Sequence, residues 1–595
     1  MGTLLSGLAL PTGVNESDIE RRWWKEAVVY QIYPRSFNDT DGDGVGDILG
    51  ITEKVGYLDS LGIDAVWLNP VYASPDADNG YDVSDYRAIH PDFGTMDDWE
   101  ELLDELHARD IRLIMDLVVN HTSDEHEWFV RSRDEDPEYD GFYWWREGVD
   151  AESVDWESEE GPAGEAPPNG WRSIFGGPAW AYDDGREKWY LHLFDRKQPD
   201  LYWPNEAVRE SVYEMMEWWL EKGIDGFRLD AIAHIGKSGG LATDLDAPLN
   251  GTMKYAGNAP QVHEYLAEMN EALFDRELLT VGEVGTPTIP DEDARAYLDP
   301  DRDGLSMLTH FEHVNIDQQG AIYEPGEWTL SELKAVIDRW DGLIEEEGWV
   351  AQYLSNHDHP RQVSRFGSEA YRRESAKLLG TLVHTLRGTP FVYQGEELGM
   401  TNYPWTSLAE FEDVATRNPV ERAIERGEIG SFEAVREAVA GASRDNARTP
   451  VQWTDGEHAG FSDGEPWIAV NPDKETINAE RAREDPESVW HYYRELIALR
   501  SEEAVSDTLV YGEYDQLTPD HESLWAYTRT LDEERLLVAL NFDDDPTAIG
   551  FPSEDLDTRA TLEVLLANYE VNGTTVSDLL DDTLRPCEAR VYRVA

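Results

Sequence analysis

The chain has 595 residues, 40% hydrophobic and 11% aromatic, with 22 Trp and 27 Tyr; that is enough apolar mass for one large core with smaller appended units and too much for a disordered chain. Its 123 acidic against 49 basic residues give a formal net charge of −74, which repels phosphate and excludes nucleic acid as a partner. No apolar run reaches the roughly 18–20 residues of a membrane helix, and a single cysteine, Cys587, excludes an intrachain disulfide framework.

The N-terminal stretch MGTLLSGLALPTG has no Lys or Arg before its apolar part and no A-x-A site. A flexible leader on a cytoplasmic protein is expected, with a signal peptide as the alternative. Short β-like runs then alternate with amphipathic helical patterns. The strands begin at Val28 (VVYQIYPRSF), Ala65 (AVWLNPV), Ile111 (IRLIMDLVVNH), Gly226 (GFRLDAIAHI), Leu278 (LLTVGEVG), Phe311 (FEHVNID), Val350 (VAQYLSNHD) and Thr389 (TPFVYQGEELG). Eight such strands separated by helices predict an α/β fold, a (β/α)8 TIM barrel. Residues 122–205, rich in Trp, Gly, Pro and acids, are too long for a loop and are read as a subdomain inserted after the third strand. Residues 510–595 alternate β-like runs with turn residues and are read as a C-terminal antiparallel β-sandwich. The barrel then comprises 1–121 and 206–509.

Polar residues at the C-terminal ends of barrel strands are catalytic candidates. Here those ends carry Asp116, Asn120 and His121 on the third strand, Arg228 and Asp230 on the fourth, Glu283 on the fifth and His357 and Asp358 on the seventh. Each alone has a structural reading; four strands converging on one set of charges do not, because buried charge is costly unless paired or used. Arg228 and Asp230 are two apart and share a face, so the guanidinium is expected to hold Asp230 ionised, as a nucleophile requires. Glu283 follows an apolar run, and desolvation there suits a proton donor. An attacking carboxylate with a donating carboxyl is the requirement for glycoside cleavage with retention.

The segments DLVVNHTSDEH, GFRLDAIAHI, TVGEVG and YLSNHDHPR resemble the four signature regions of the α-amylase superfamily, glycoside hydrolase family 13. QPDLYW, DNGYDVSDY, GTPFVYQGEELGMTN and RDNARTPVQW are similar to elements of its α-glucosidase and oligo-1,6-glucosidase subgroup, with Tyr202 where that subgroup usually has Asn. The resemblance implies Asp230 as nucleophile, Glu283 as acid/base and Asp358 as transition-state stabiliser. It implies that Asp78, Tyr81, His121, Arg228, His357 and Arg444 hold the non-reducing glucose, with Tyr81 beneath the ring and Asp78 paired to Arg444 to close the pocket; Phe175 of the insertion lines the same pocket. The residue after the nucleophile, Ala231, stands where many α-1,6-cleaving members have Val. Ala leaves more room beside the departing sugar, so short α-1,4-linked oligosaccharides such as maltose are the expected substrates. The alternatives are an oligo-1,6-glucosidase and a transglycosylating, sucrose-isomerase-like relative. A non-catalytic, membrane-associated relative is disfavoured because all three acids are present.

The loop Asp39-Thr-Asp41-Gly-Asp43-Gly-Val45-Gly-Asp47 starts like an EF-hand, but its twelfth position is Gly50, where an EF-hand needs Glu. It resembles the subgroup's metal loop, which implies side-chain oxygens from Asp39, Asp41, Asp43 and Asp47 and the Val45 carbonyl on a structural Ca2+ or Mg2+. Oxygen ligands fit a hard cation and not zinc; the alternative is a solvated acidic turn. No organic cofactor is expected, and a monomer or small homo-oligomer is the expected assembly. Only ten basic residues are lysine, and the acids are spread along the chain. Such a surface repels itself in dilute buffer, whereas molar salt, with a Debye length of about 3 Å, screens it; a protein of a salt-rich cytoplasm is expected.

Overall fold

Eight short strands form the centre of the computed structural model: β1 (Val29–Ile32), β2 (Ala65–Leu68), β3 (Arg112–Val118), β4 (Gly226–Asp230), β5 (Leu279–Val284), β6 (Met307–His310), β7 (Ala351–Gln352) and β8 (Thr389–Tyr393). They pair in parallel in the order β6-β5-β4-β3-β2-β1-β8-β7, and a parallel bridge between Leu308 and Val350 joins β6 to β7 and closes the barrel. The structure describes residues 19–595 except 152–160, 238–251, 253–254, 274–277, 286–288, 299–303, 319, 345–347, 552–555 and 574. The N-terminal leader lies outside the described residues. One strand differs from the sequence reading: the sixth is MLTH at Met307–His310, and Phe311 onward is the turn that leaves it. Polar and apolar residues are mixed on both sides of the strand end (MLTH then FEHV), so composition alone did not mark the boundary.

Period-two alternation sorts the strand residues. Phe227 and Leu229 of β4, with Leu113, Met115 and Leu117 of β3, belong to the large core that the helices cover. Val29, Trp67, Ile114, Leu279, Val281, Met307 and Phe391 belong to a second cluster inside the barrel. Above that plug, at the C-terminal strand ends, Asp116, Arg228, Asp230 and Glu283 are among the buried charged residues. Helices carry explicit start signals. In α1 (Ile48–Leu61) the Asp47 side chain accepts from the Gly50 amide, and Gly62 ends the helix at φ 97°; α2 (Met96–His107) opens with a Thr95–Asp98 capping box.

After β3 the insertion holds the helix Glu127–Arg133 and an antiparallel sheet of Trp145–Arg146, Lys188–Leu191 and Trp180–Asp183, built on buried Trp144, Trp171, Trp180 and Trp189. The His121–Asp200 bridge fastens its end to the top of β3, and the Tyr143–Leu201 bridge ties that end back into the insertion. Beyond the barrel, β9 (Glu513–Gln516), β10 (Leu524–Leu531), β11 (Glu534–Asn541), β12 (Leu562–Ala567) and β13 (Ala589–Val594) form an antiparallel sheet in the order β9-β10-β11-β13-β12. The small pair Thr547–Ala548 with Thr583–Leu584 sits beside it, and Ile549 and Leu584 share a core with Leu537 and Ala539 of β11. Among the described residues no helix is long and apolar enough to cross a membrane.

Candidate active site

Arg228 is the hub. The β3–β4 register sets it opposite Asp116. Its Nη1 donates to Asp116 Oδ1 at 2.8 Å and to Asp230 Oδ1 at 2.6 Å, and Nη2 pairs with Glu283 Oε2. The guanidinium lies 4.9 Å from the centre of the Trp67 ring, whose indole N–H donates to Asp116 Oδ2 at 3.0 Å. One buried cation thus serves three carboxylates. Burial pushes the Asp230 carboxyl up to about 7, outweighing Arg228, and the Asp116 charge adds to the rise; burial also raises Asp116. Arg228 draws the Asp230 carboxyl down, as expected, while burial works against it. A single positive charge cannot offset three buried carboxylates, so the cluster retains a proton to higher pH than a surface carboxylate would.

The turn after β7 carries the second charged group. The Gln31 amide donates to His357 Nδ1 at 2.8 Å, which leaves the imidazole proton on Nε2, facing Asp358 Oδ2 at 3.1 Å and Tyr81 Oη at 2.7 Å. Tyr81 stacks on His357 (centroids 5.4 Å, 8° between planes) and donates to Asp116 Oδ2 at 3.2 Å, so it links the two halves of the site. Burial depresses His357 to about 3, which keeps it a neutral donor. For Asp358, burial works upward, but His357, Arg444 and Arg448 together overcome it and hold the carboxyl well below the usual range. Arg444 Nη1 lies 3.0 Å and Arg448 Nη2 3.3 Å from Asp358 Oδ1.

The remaining candidates gather beside these groups. Gln198, from the end of the insertion, donates to Asp78 Oδ2 at 3.1 Å and meets His121 Nε2 at 3.1 Å. Burial lifts Asp78 to about 7 against the pull of Arg444 and Arg448, and depresses His121 to about 3. The expected Asp78–Arg444 pair is present but loose, at 3.6 Å. Phe175 reaches the site from the insertion, with the Arg444 guanidinium 5.3 Å from its ring centre. Ala231 is buried directly after Asp230 and lies in the left-handed region at φ 46°, ψ 33°, which turns the chain sharply behind the carboxylate.

Two further clusters flank the site. In the loop after β1, carboxylate oxygens of Asp39, Asp41 and Asp43 lie within 4.8 Å of one another. Asp47 stands outside that trio: its Oδ1 caps α1 and its Oδ2 accepts from Thr40 N at 2.7 Å. Gly44 (φ 94°) is required here, since a Cβ would stand 1.9 Å from the Glu465 carbonyl oxygen. The donor set is all oxygen and acidic, so these residues fit a hard divalent cation. Beneath the insertion, Lys237 Nζ is fully enclosed by Asp200 Oδ2 at 2.8 Å, Asn120 Oδ1 at 2.8 Å and the His234 carbonyl at 2.6 Å. It bonds the end of the insertion to the segments following β3 and β4.

The sequence reading missed three contributors. Arg448 lies four residues after Arg444 within RDNARTPVQW, a helical spacing that could have flagged it. Lys237 was visible only as a rare lysine just past a strand end. Asp413, which holds both arginines, sits in no motif; a D-x-x-T capping pattern at Asp413–Thr416 was its only mark.

A barrel whose strand ends converge on an Arg-bridged carboxylate pair and a histidine-linked third acid has the layout of a glycoside-cleaving enzyme. Comparison with known proteins agrees. Residues 31–512 match the alpha amylase catalytic domain. The chain is 48% identical over 587 residues to an oligo-1,6-glucosidase of Parageobacillus thermoglucosidasius, covering 97% of this chain and 100% of that protein. It is 44% identical to an alpha-glucosidase of Pediococcus pentosaceus, covering 96% and 99%. Its structure is similar to that of isomaltulose synthase from Klebsiella sp. LX3, at a TM-score of 0.88 and 40% identity over 97% of this chain and 100% of that one. The chain belongs to the α-amylase family, and it is a family 13 glycoside hydrolase.

Proposed function

We propose that the protein is a retaining, exo-acting α-glucosidase that releases glucose from the non-reducing end of short oligosaccharides. The observation that carries this reading is the Arg228 bridge between Asp230 and Glu283. Both carboxyl groups bind one guanidinium and so stand close, as in retaining enzymes, where the separation is about 5–5.5 Å. Asp230 attacks C1 of the glucosyl unit while Glu283 protonates the departing glycosidic oxygen. The resulting glucosyl ester is hydrolysed by a water that Glu283 deprotonates, returning both carboxyls to their starting states. Asp358, held anionic, stabilises positive charge developing on the ring, and Asp78, His121 and His357 hold its hydroxyls. Arg444, with Phe175 against it, narrows the far end and limits the site to chain ends.

Ala231 favours α-1,4 bonds, because its methyl group leaves space beside the departing sugar. The names of relatives such as the Parageobacillus enzyme favour α-1,6 bonds as the second reading. Initial rates on maltose and isomaltose separate the two. The purified enzyme is expected to turn over maltose faster, and Ala231→Val to shift the ratio toward isomaltose. Faster isomaltose turnover by the unsubstituted enzyme would assign it to the second reading. Asp230→Ala is expected to lose at least about a thousandfold in kcat, roughly 4 kcal/mol of barrier; an active variant would end the mechanism.

The residues at 39–47 would hold a Ca2+ or Mg2+ through Asp39, Asp41 and Asp43, with Asp47 and the Val45 carbonyl as further candidates. The ion would neutralise a loop of clustered acids and brace the start of α1. Chelation is expected to lower the thermal midpoint, and re-addition of Ca2+ or Mg2+ to restore it; an unchanged midpoint counts against the ion.

A further inference from the structure

The carboxylate of Asp413 lies outside the sugar pocket, yet it organises the two cations that act on Asp358. Its Oδ1 accepts from Arg444 Nη2 at 2.5 Å and Nε at 3.2 Å and stands 3.5 Å from Arg448 Nη1. Those same guanidiniums reach Asp358 Oδ1 at 3.0 and 3.3 Å. Asp413 is 1% exposed and N-caps the helix Val414–Glu425 through the Ala415 amide, while its Oδ2 accepts from Thr416 Oγ1 at 2.8 Å. The far side is fixed as well. Asp445 Oδ2 accepts from the Glu412 and Asp413 amides at 2.8 and 3.0 Å, and Thr416 Oγ1 meets Ser443 Oγ at 2.9 Å. The start of this helix is thereby bolted to the segment bearing Arg444 and Arg448.

We propose that Asp413 is a positioning residue of the reaction: it anchors Arg444 and Arg448 so that both bear on Asp358, and it keeps Arg444 from collapsing onto Asp78. The charges support the assignment. Two arginines face two carboxylates held ionised, Asp413 and Asp358; burial lifts the other two nearby, Asp78 to about 7 and Asp445 to about 6, so these are the weaker partners. Burial opposes ionisation of Asp413, but Arg444 and Arg448 overcome it and bring its carboxyl down to about 2. The distances say the same: Arg444 Nη2 is 2.5 Å from Asp413 and 3.6 Å from Asp78. Without the Asp413 charge, the remaining carboxylate beside Arg444 Nη2 is Asp78, at 3.6 Å, and turning toward it withdraws the guanidinium from Asp358.

The inference rests on the role given to Asp358 above, so Asp358→Asn is measured alongside. Asp413→Asn removes the charge and leaves one acceptor oxygen, kept for the Ala415 amide, with an NH2 donor facing Thr416 Oγ1, which accepts from it while donating to Ser443 Oγ. On an aryl α-glucoside it is expected to lower kcat at least about tenfold, since small misplacements of catalytic groups cost up to about a hundredfold. The inhibition constant of deoxynojirimycin, a cationic analogue of the charged transition state, is expected to rise by a similar factor, with that of glucose changing far less. Asp413→Glu, which retains the charge, is expected to recover most of both losses. An Asp413→Asn enzyme with unchanged kcat overturns the proposal. So does a folded Asp413→Glu enzyme as impaired as Asp413→Asn, or equal weakening of glucose and deoxynojirimycin. If Asp358→Asn itself keeps full kcat, the assignment of Asp358 is at fault rather than the link from Asp413.

Discussion

At the scale of the residue, the site is governed by how few cations serve how many carboxylates. Arg228 is shared by Asp116, Asp230 and Glu283, and burial lifts Asp230 to about 7. A raised carboxyl pKa means protonation at higher pH. A nucleophile that must be anionic is then lost as pH falls through that raised value and is fully available above it. The acid limb of kcat/KM is accordingly expected near neutrality, above the ordinary carboxylate range; a limb near pH 4 would show that Arg228 wins over burial. Asp358 titrates far lower because His357, Arg444 and Arg448 surround it, so it contributes no limb in the working range. Arg228 beside Asp230 was legible from period-two spacing alone. The sharing of Arg228 with Asp116 and Glu283 was not, because it depends on which strands become neighbours.

At the scale of the element, a buried ion pair joins the end of the inserted subdomain to the barrel. Lys237 Nζ fills a cage of three oxygens from Asp200, Asn120 and the His234 carbonyl, the arrangement a small cation would otherwise require. Replacing it by Met leaves Asp200 buried without its partner, a loss of about 3–5 kcal/mol. Lys237→Met is therefore expected to lower the denaturation midpoint. It is also expected to raise KM, because Gln198, two residues from Asp200, touches Asp78 and His121. A variant with unchanged midpoint and KM would show the cage to be dispensable. The sequence marked the insertion by length and composition and marked QPDLYW as a motif. It could not show that Asp200 faces a lysine 37 positions on, since that contact exists only once the third and fourth strands pair.

At the scale of the whole molecule, the −74 charge sets the conditions for folding. Among the described residues, ion pairs are numerous, but most are at the surface, where each contributes little and is screened by salt. The net repulsion is also screened, and over a longer range, so added salt favours the compact state. The thermal midpoint and activity are expected to rise with NaCl into the molar range and to fall on dialysis to low salt. A midpoint independent of salt would reduce the acidity to a matter of solubility.

The sequence by itself determined the barrel, seven of its eight strand positions, the insertion and the C-terminal β unit, because these follow from local periodicity and turn chemistry. It also identified the residues at the strand ends, since period two fixes which side chains share a face. Only the tertiary structure decided the start of β6, the loose Asp78–Arg444 contact, the standing of Asp47 as a helix cap outside the trio of carboxylates, and the place of Asp413 behind Asp358. Each of these depends on competition among partners brought together from distant segments. Burial and Coulomb energy, which act through space rather than along the chain, settle that competition.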